Sequence, residues 1–107
     1  MRKIVLMVAL AVIAIGMGGY FYYLSLKEAE AAKEACIKAC MEAKASEMNL
    51  NDGPCLSNKI IDNWVCDVAH NPREPVDNIE ENQCPEYGKT AFHFVEVDPN
   101  CNFIRAV

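Results

Sequence analysis

Residues 25–48 read SLKEAEAAKEACIKACMEAKASEM, a run with neither glycine nor proline and rich in Ala, Glu, Lys, Leu and Met. Those residues lose little side-chain freedom in a helix, so the run is predicted to be helical. Glu30 and Lys33, Glu34 and Lys38, and Lys38 and Glu42 stand three or four residues apart, where opposite charges support one another on a helix surface. Ala29, Ala32, Cys36, Cys40 and Ala43 recur at helical spacing on one side. That stripe is narrow and made of small side chains. It suits the close approach of a second element, with Cys36 and Cys40 one turn apart and both facing it. Asn49-Leu50-Asn51-Asp52-Gly53-Pro54 follows, a run of turn formers that ends the helix.

On the amino-terminal side lies IVLMVALAVIAIGMGGYFYYL, residues 4–24, with no charge and no proline. As a helix this segment spans about 31 Å, the thickness of the hydrocarbon core of a bilayer. Tyr20, Phe21, Tyr22 and Tyr23 cluster at its end as an interfacial belt. Arg2 and Lys3 mark residues 1–3 as a cytoplasmic stub and place residues 25–107 outside. The expectation is a retained single-pass anchor, a signal-anchor. The competing reading is a signal peptide with Gly16 and Gly18 at the −3 and −1 positions, cleaved after Gly18 to give a secreted product. Ala14 and Gly18 form a small-xxx-small pair through which two anchors can pack, so a homo-oligomer through anchor or neck is an open expectation.

On the carboxyl-terminal side, residues 49–107 form a small cysteine-rich domain. Lys59–Val68 is expected to be extended, with Ile60, Trp64, Cys66 and Val68 on one face. Residues 69–88 carry Pro72, Pro75 and Pro85 and read as a long irregular loop. Residues 90–97, TAFHFVEV, read as a strand, and Asp98-Pro99-Asn100 turns the chain into a second strand, residues 102–107. The expected fold class is α+β: a transmembrane helix, a helical neck, and a small disulfide-stapled antiparallel sheet.

All six cysteines, Cys36, Cys40, Cys55, Cys66, Cys84 and Cys101, fall in the external portion. A tail of this size buries too little surface to be comfortably stable alone, and oxidised cross-links are the usual remedy outside the cytosol. Three bridges are expected, with the pairing open and with Cys36 and Cys40 clipping the helix to two separate points. This half resembles the helical part of cysteine-stabilised αβ peptides, but the C-x-C strand partner of those peptides is missing.

The chain carries 10 basic against 15 acidic residues, and the acidic ones all follow Ser25. No basic footprint for nucleic acid is present, and no P-loop or G-x-G-x-x-G pattern. Zinc hairpins usually show C-x-x-C pairs, haem attachment C-x-x-C-H, and thiol-disulfide catalysts C-x-x-C at a helix start; none occurs. The metal or redox alternative uses the cysteines with His70 and His93. No metal site, cofactor or catalytic residue is assigned, because Ser46, Ser57 and Thr90 sit in no nucleophile motif near Asp67, His70 or Arg73. Asp98-Pro99-Asn100-Cys101-Asn102 starts like a calcium loop but has Phe103 where glycine is required. The acidic residues Glu74, Asp77, Glu80, Glu81 and Glu86 read as a solvated face.

The stretch GPCLSNKIIDNWVCDVAHNPRE, residues 53–74, followed by VDN, ENQC, HFVEVD and NC, resembles a group of small archaeal membrane-anchored proteins of uncharacterised function. The resemblance implies an anchored, cysteine-containing external module and brings no reaction or cofactor. Trp64, His70, Pro72 and Arg73 fall inside the distinctive stretch and are the candidate interaction surface; Trp64 equally fits the core of the domain. The function expected is display of a structural or protein-interaction module that binds a protein or envelope component.

Overall fold

The computed structural model describes residues 2–107; Met1, the first residue of the expected stub, lies outside the described residues. The segments expected as anchor and neck form one uninterrupted helix, α1, Arg2–Ala45. It is long and apolar enough to cross a membrane, with a mean hydropathy of 2.4 over its most apolar 18 residues, none of them buried. The helix stops three residues short of the expected end. Glu47 takes a left-handed conformation at φ 61°, and the amides of Ser46 and Met48 fold back onto the carbonyls of Glu42 and Ala43 at 3.0 and 3.1 Å. Those bonds satisfy carbonyls that the helix end leaves open.

Four strands follow: β1 Cys55–Ile61, β2 Trp64–Val68, β3 His93–Val97 and β4 Phe103–Ala106, ordered β1-β2-β3-β4 in one sheet. Lys59–Val68 is therefore not one extended segment. It breaks at Asp62-Asn63, where Asn63 adopts φ 70° and turns the chain into a β1–β2 hairpin. Asparagine tolerates this left-handed conformation better than other side chains of its size. Ile60, Trp64, Cys66 and Val68 still join the same core, as the alternation requires.

The sheet is mixed rather than antiparallel. β1–β2 and β3–β4 are antiparallel, but β2 and β3 run parallel, with Trp64 opposite His93 and Val68 opposite Val97. A tight turn places β1 on one edge of β2, leaving the other edge for the β3–β4 hairpin. The connection 69–92 is long enough to carry the chain back to the start of β2, which makes the new neighbour parallel. It crosses the face away from α1 as irregular chain with two single 3-10 turns, Pro75–Asn78 and Glu80–Asn82.

Strand alternation then divides the sheet. One face carries Trp64, Cys66, Val68, Val95 and Val97 against Ala32, Cys36 and Cys40 of α1. The other carries Val65 and Phe94 against Cys84 and Ala91 of the crossing loop. Three disulfides lock these layers: Cys36–Cys66, Cys40–Cys101 and Cys55–Cys84. The first two clip the helix to β2 and to the β3–β4 turn, and the third ties the crossing loop to β1. Asp98 shapes the β3–β4 turn by accepting the amides of Asn100 and Asn102 at 2.9 and 2.8 Å, which presents Cys101 to Cys40.

Candidate functional site

The crossing loop is held from within by Asp77, which is 2% exposed. One carboxylate oxygen accepts the backbone amides of His70 and Glu74, each at 2.9 Å, and the other lies 2.9 Å from Nδ1 of His70. Because an ionised carboxylate only accepts, the ring proton belongs on Nδ1. Burial pushes the Asp77 carboxyl up, but the Glu74 and His70 amides and the His70 ring outweigh it and leave it below its ordinary value. Nε2 of His70 faces Glu74 at 3.4 Å.

His70, Pro72 and Arg73 come together on one wall of a polar depression of about 730 Å³, with Lys44, Asp98 and Asn100 on the others. Trp64 stands apart from them. It is 4% exposed, packs in the core beneath α1, stacks on His93 with ring centroids 4.7 Å apart, and donates from Nε1 to Glu28 at 2.9 Å. Its place is thus between the helix and the sheet. His70 and His93 are not brought together either. His93 opens β3 opposite Trp64, whereas His70 lies beyond the far end of β2. The six cysteines are all bridged, and among the described residues no group of three His, Cys, Asp or Glu side chains is placed to hold a metal ion.

Behind Arg73 lies a second constellation that sequence reasoning missed. Glu96, 4% exposed, is held by Arg73 Nη1 at 2.9 Å and Arg105 Nε at 2.6 Å. Arg73 also donates from Nε to Asn78 and from Nη2 to the Asp77 carbonyl, each at 3.0 Å, so it joins loop to sheet. The parallel register sets Asp67 directly beside Glu96, on strands about 4.8 Å apart. Asp67 has a buried Oδ1 with no hydrogen-bond partner. Burial, and then the negative charge of Glu96, push the Asp67 carboxyl up to about 7. These groups line a cavity of about 250 Å³, together with Tyr87, Phe94 and Gln83. Tyr87 and Phe94 meet edge to face, centroids 5.4 Å apart. The visible cue was a charged residue within each apolar strand, VCDV and FVEV. What joins the two is the parallel pairing, which spacing alone does not reveal.

A raised carboxyl implies that the folded state holds the Asp67 proton more tightly than the unfolded chain. Stability from this group is complete below the ordinary value of 3.8 and is lost as pH rises toward about 7. Asp67→Asn, which keeps the shape and removes the charge, is expected to stabilise the protein by roughly 2–4 kcal/mol at pH 8. The gain shrinks toward zero near pH 4, as urea midpoints across that range would register. An equal gain at both ends of the range would contradict this account of Asp67.

No protein-family model, curated protein or solved structure matches this chain.

Proposed function

We propose that the protein is a single-pass membrane protein that displays residues 25–107 outside the cell as a disulfide-stapled structural or protein-interaction module. The observation that carries this reading is the continuity of α1, in which an exposed apolar run without charge passes directly into a domain with three bridges. An exposed apolar surface of that extent calls for a non-aqueous partner, and bridges persist where the surroundings are oxidising. Arg2 and Lys3 before the apolar run favour an amino terminus inside. The depression beside His70, Pro72 and Arg73 is the partner-facing surface in this reading, since His70 is held by Asp77 and Arg73 by Glu96 and Asn78 at its wall.

The test is topology. A cleavable tag fused after Val107 is expected to be removed by protease added to intact cells, while the chain stays with membranes washed in alkaline carbonate. A tag protected until lysis would reverse the orientation, and release of the chain by the wash would remove the anchor. The mass of the tagged chain recovered from membranes and from the medium distinguishes a retained anchor from cleavage after Gly18.

A further inference from the structure

We propose that the end of the sheet domain nearest the apolar segment of α1 rests on the lipid headgroup layer, with Phe92 and Val107 as the side chains that enter it. The proposal rests on the reading of residues 4–24 as a retained anchor. Contacts along α1 set the direction of the sheet. Glu28 meets Trp64 at the start of β2, Cys36 is bridged to Cys66 within it, and Cys40 is bridged to Cys101 beyond the end of β3. β2 and β3 therefore advance along α1 away from the apolar run, and their starts are the near end. The Asp62-Asn63 turn lies there. Phe92 is fastened to it, its amide donating to the Asn63 carbonyl at 3.2 Å and to Oδ1 of Asn63 at 2.8 Å. β4 runs back to the same end, where Val107 exchanges both backbone hydrogen bonds with Phe94 at 2.9 Å.

Of the large apolar side chains in residues 49–107, Phe92 and Val107 are the most exposed, at 62% and 60%. Single exposed apolar residues are ordinary. Here the two extremes share the one end that faces the apolar run, and the spacing says what covers them. Ala29 is the first α1 residue packed against the sheet core, and Glu28 stands beyond Leu24 by about 6 Å along the helix. A headgroup layer is about 5–8 Å deep on each side of the hydrocarbon core, so the domain reaches its outer surface with no linker between. Lys27 lies over the Tyr23 ring, 4.8 Å from its centroid, and Lys59 pairs with Asp62 at 3.1 Å. Charges of both signs suit a zwitterionic headgroup. Two side chains would not hold a free domain on a bilayer, but a tether this short makes the encounter intramolecular.

The test places the full chain in phosphatidylcholine nanodiscs, which leave both faces open to solutes. The fluorescence of Phe92→Trp is read as its difference from the unsubstituted chain, whose Trp64 is buried. Ile79→Trp, on the exposed part of the crossing loop, is the control. Emission from Phe92→Trp is expected at shorter wavelength than from the control and several-fold less accessible to iodide. Phosphatidylcholine brominated near the carbonyl end of its acyl chains should quench it several-fold, while the control stays open to iodide and unaffected by that lipid. Val107→Trp, a second probe at the same end, should behave like Phe92→Trp, and intact disulfides confirm the fold of each variant. Equal iodide access at positions 92 and 79 overturns the proposal. So does shielding of Phe92→Trp without quenching by the brominated lipid, which would mean that a protein surface covers it. Failure of the chain to co-elute with the discs overturns the anchor reading as well, whereas a disc-bound chain with position 92 in water overturns this proposal alone.

Discussion

Replacing Cys36 and Cys40 together by serine is expected to unfold the sheet domain at 37 °C. Their bridges close segments of 30 and 61 residues, each worth about 3.5–4.5 kcal/mol of loop-closure entropy. Lost together they remove about 8 kcal/mol, against a stability of roughly 5–15 kcal/mol for an ordinary domain. Little else is available to compensate. The buried surface of α1 consists of Ala32, Cys36 and Cys40, and the sheet beneath offers mainly valines and Trp64. The expected signature is loss of the near-ultraviolet dichroism of Trp64 with much of the helical signal retained, since residues 2–35 keep their own hydrogen bonds. Replacing Cys55 and Cys84 instead should cost about 3.5 kcal/mol, and it frees only the crossing loop from β1. A double variant at 36 and 40 that melts within a few degrees of the wild type would show that packing, and not the staples, holds the helix to the sheet.

The second large effect is expected at Asp77. Asp77→Ala leaves the amides of His70 and Glu74 and the His70 ring without their shared acceptor in a buried place. Orphaning several donors of a charged acceptor costs about 3–5 kcal/mol. The urea midpoint should fall accordingly, and amide exchange should accelerate first at His70 and Glu74. Because the folded Asp77 carboxyl lies below its ordinary value, its contribution is complete above 3.8 and disappears as pH falls through the lower folded value. The wild type should therefore lose stability in acid more steeply than the variant does. Parallel acid curves for the two proteins would mean that the loop is held by something other than this carboxylate. The same cluster explains why residue 53 is glycine. Its φ is +67°, and a Cβ there would lie 2.7 Å from Oδ1 of Asp77, so the turn before β1 closes on the loop only without a side chain.

Much of this arrangement was legible in residue types. The small-residue stripe named Ala32, Cys36 and Cys40 as the buried face of the helix, and they are fully buried. Segregation of the cysteines foretold three bridges, and TAFHFVEV with the Asp98 turn foretold the β3–β4 hairpin. The misses share a cause. Asp62-Asn63 sits in a run whose polar residues alternate like those of a half-buried strand, so the tight turn left little mark in KIIDNWVCDV. The parallel pairing of β2 with β3 depends on where a long loop sets the chain down, which local pattern does not encode. From that pairing comes the Asp67–Glu96 neighbourhood, built from residues 29 positions apart in sequence. The interaction candidates divided for a similar reason: Trp64 satisfies its indole N–H on Glu28 of the helix, so it can be buried, whereas Pro72 and Arg73 lie on the crossing loop at the surface.

The unbroken course of α1 fixes an angle as well as a distance. A helix advances about 1.5 Å and turns about 100° with each residue, and the bridges at Cys36 and Cys40 hold the sheet to one side of it. The compass direction in which the Arg73 surface looks is therefore set by the rotational phase of the apolar segment. One residue inserted between Leu24 and Glu28 would swing the whole domain by more than a quarter turn while raising it by less than the width of a methyl group. Any partner that engages both the apolar segment and the domain reads that phase, and four inserted residues should restore what one inserted residue destroys.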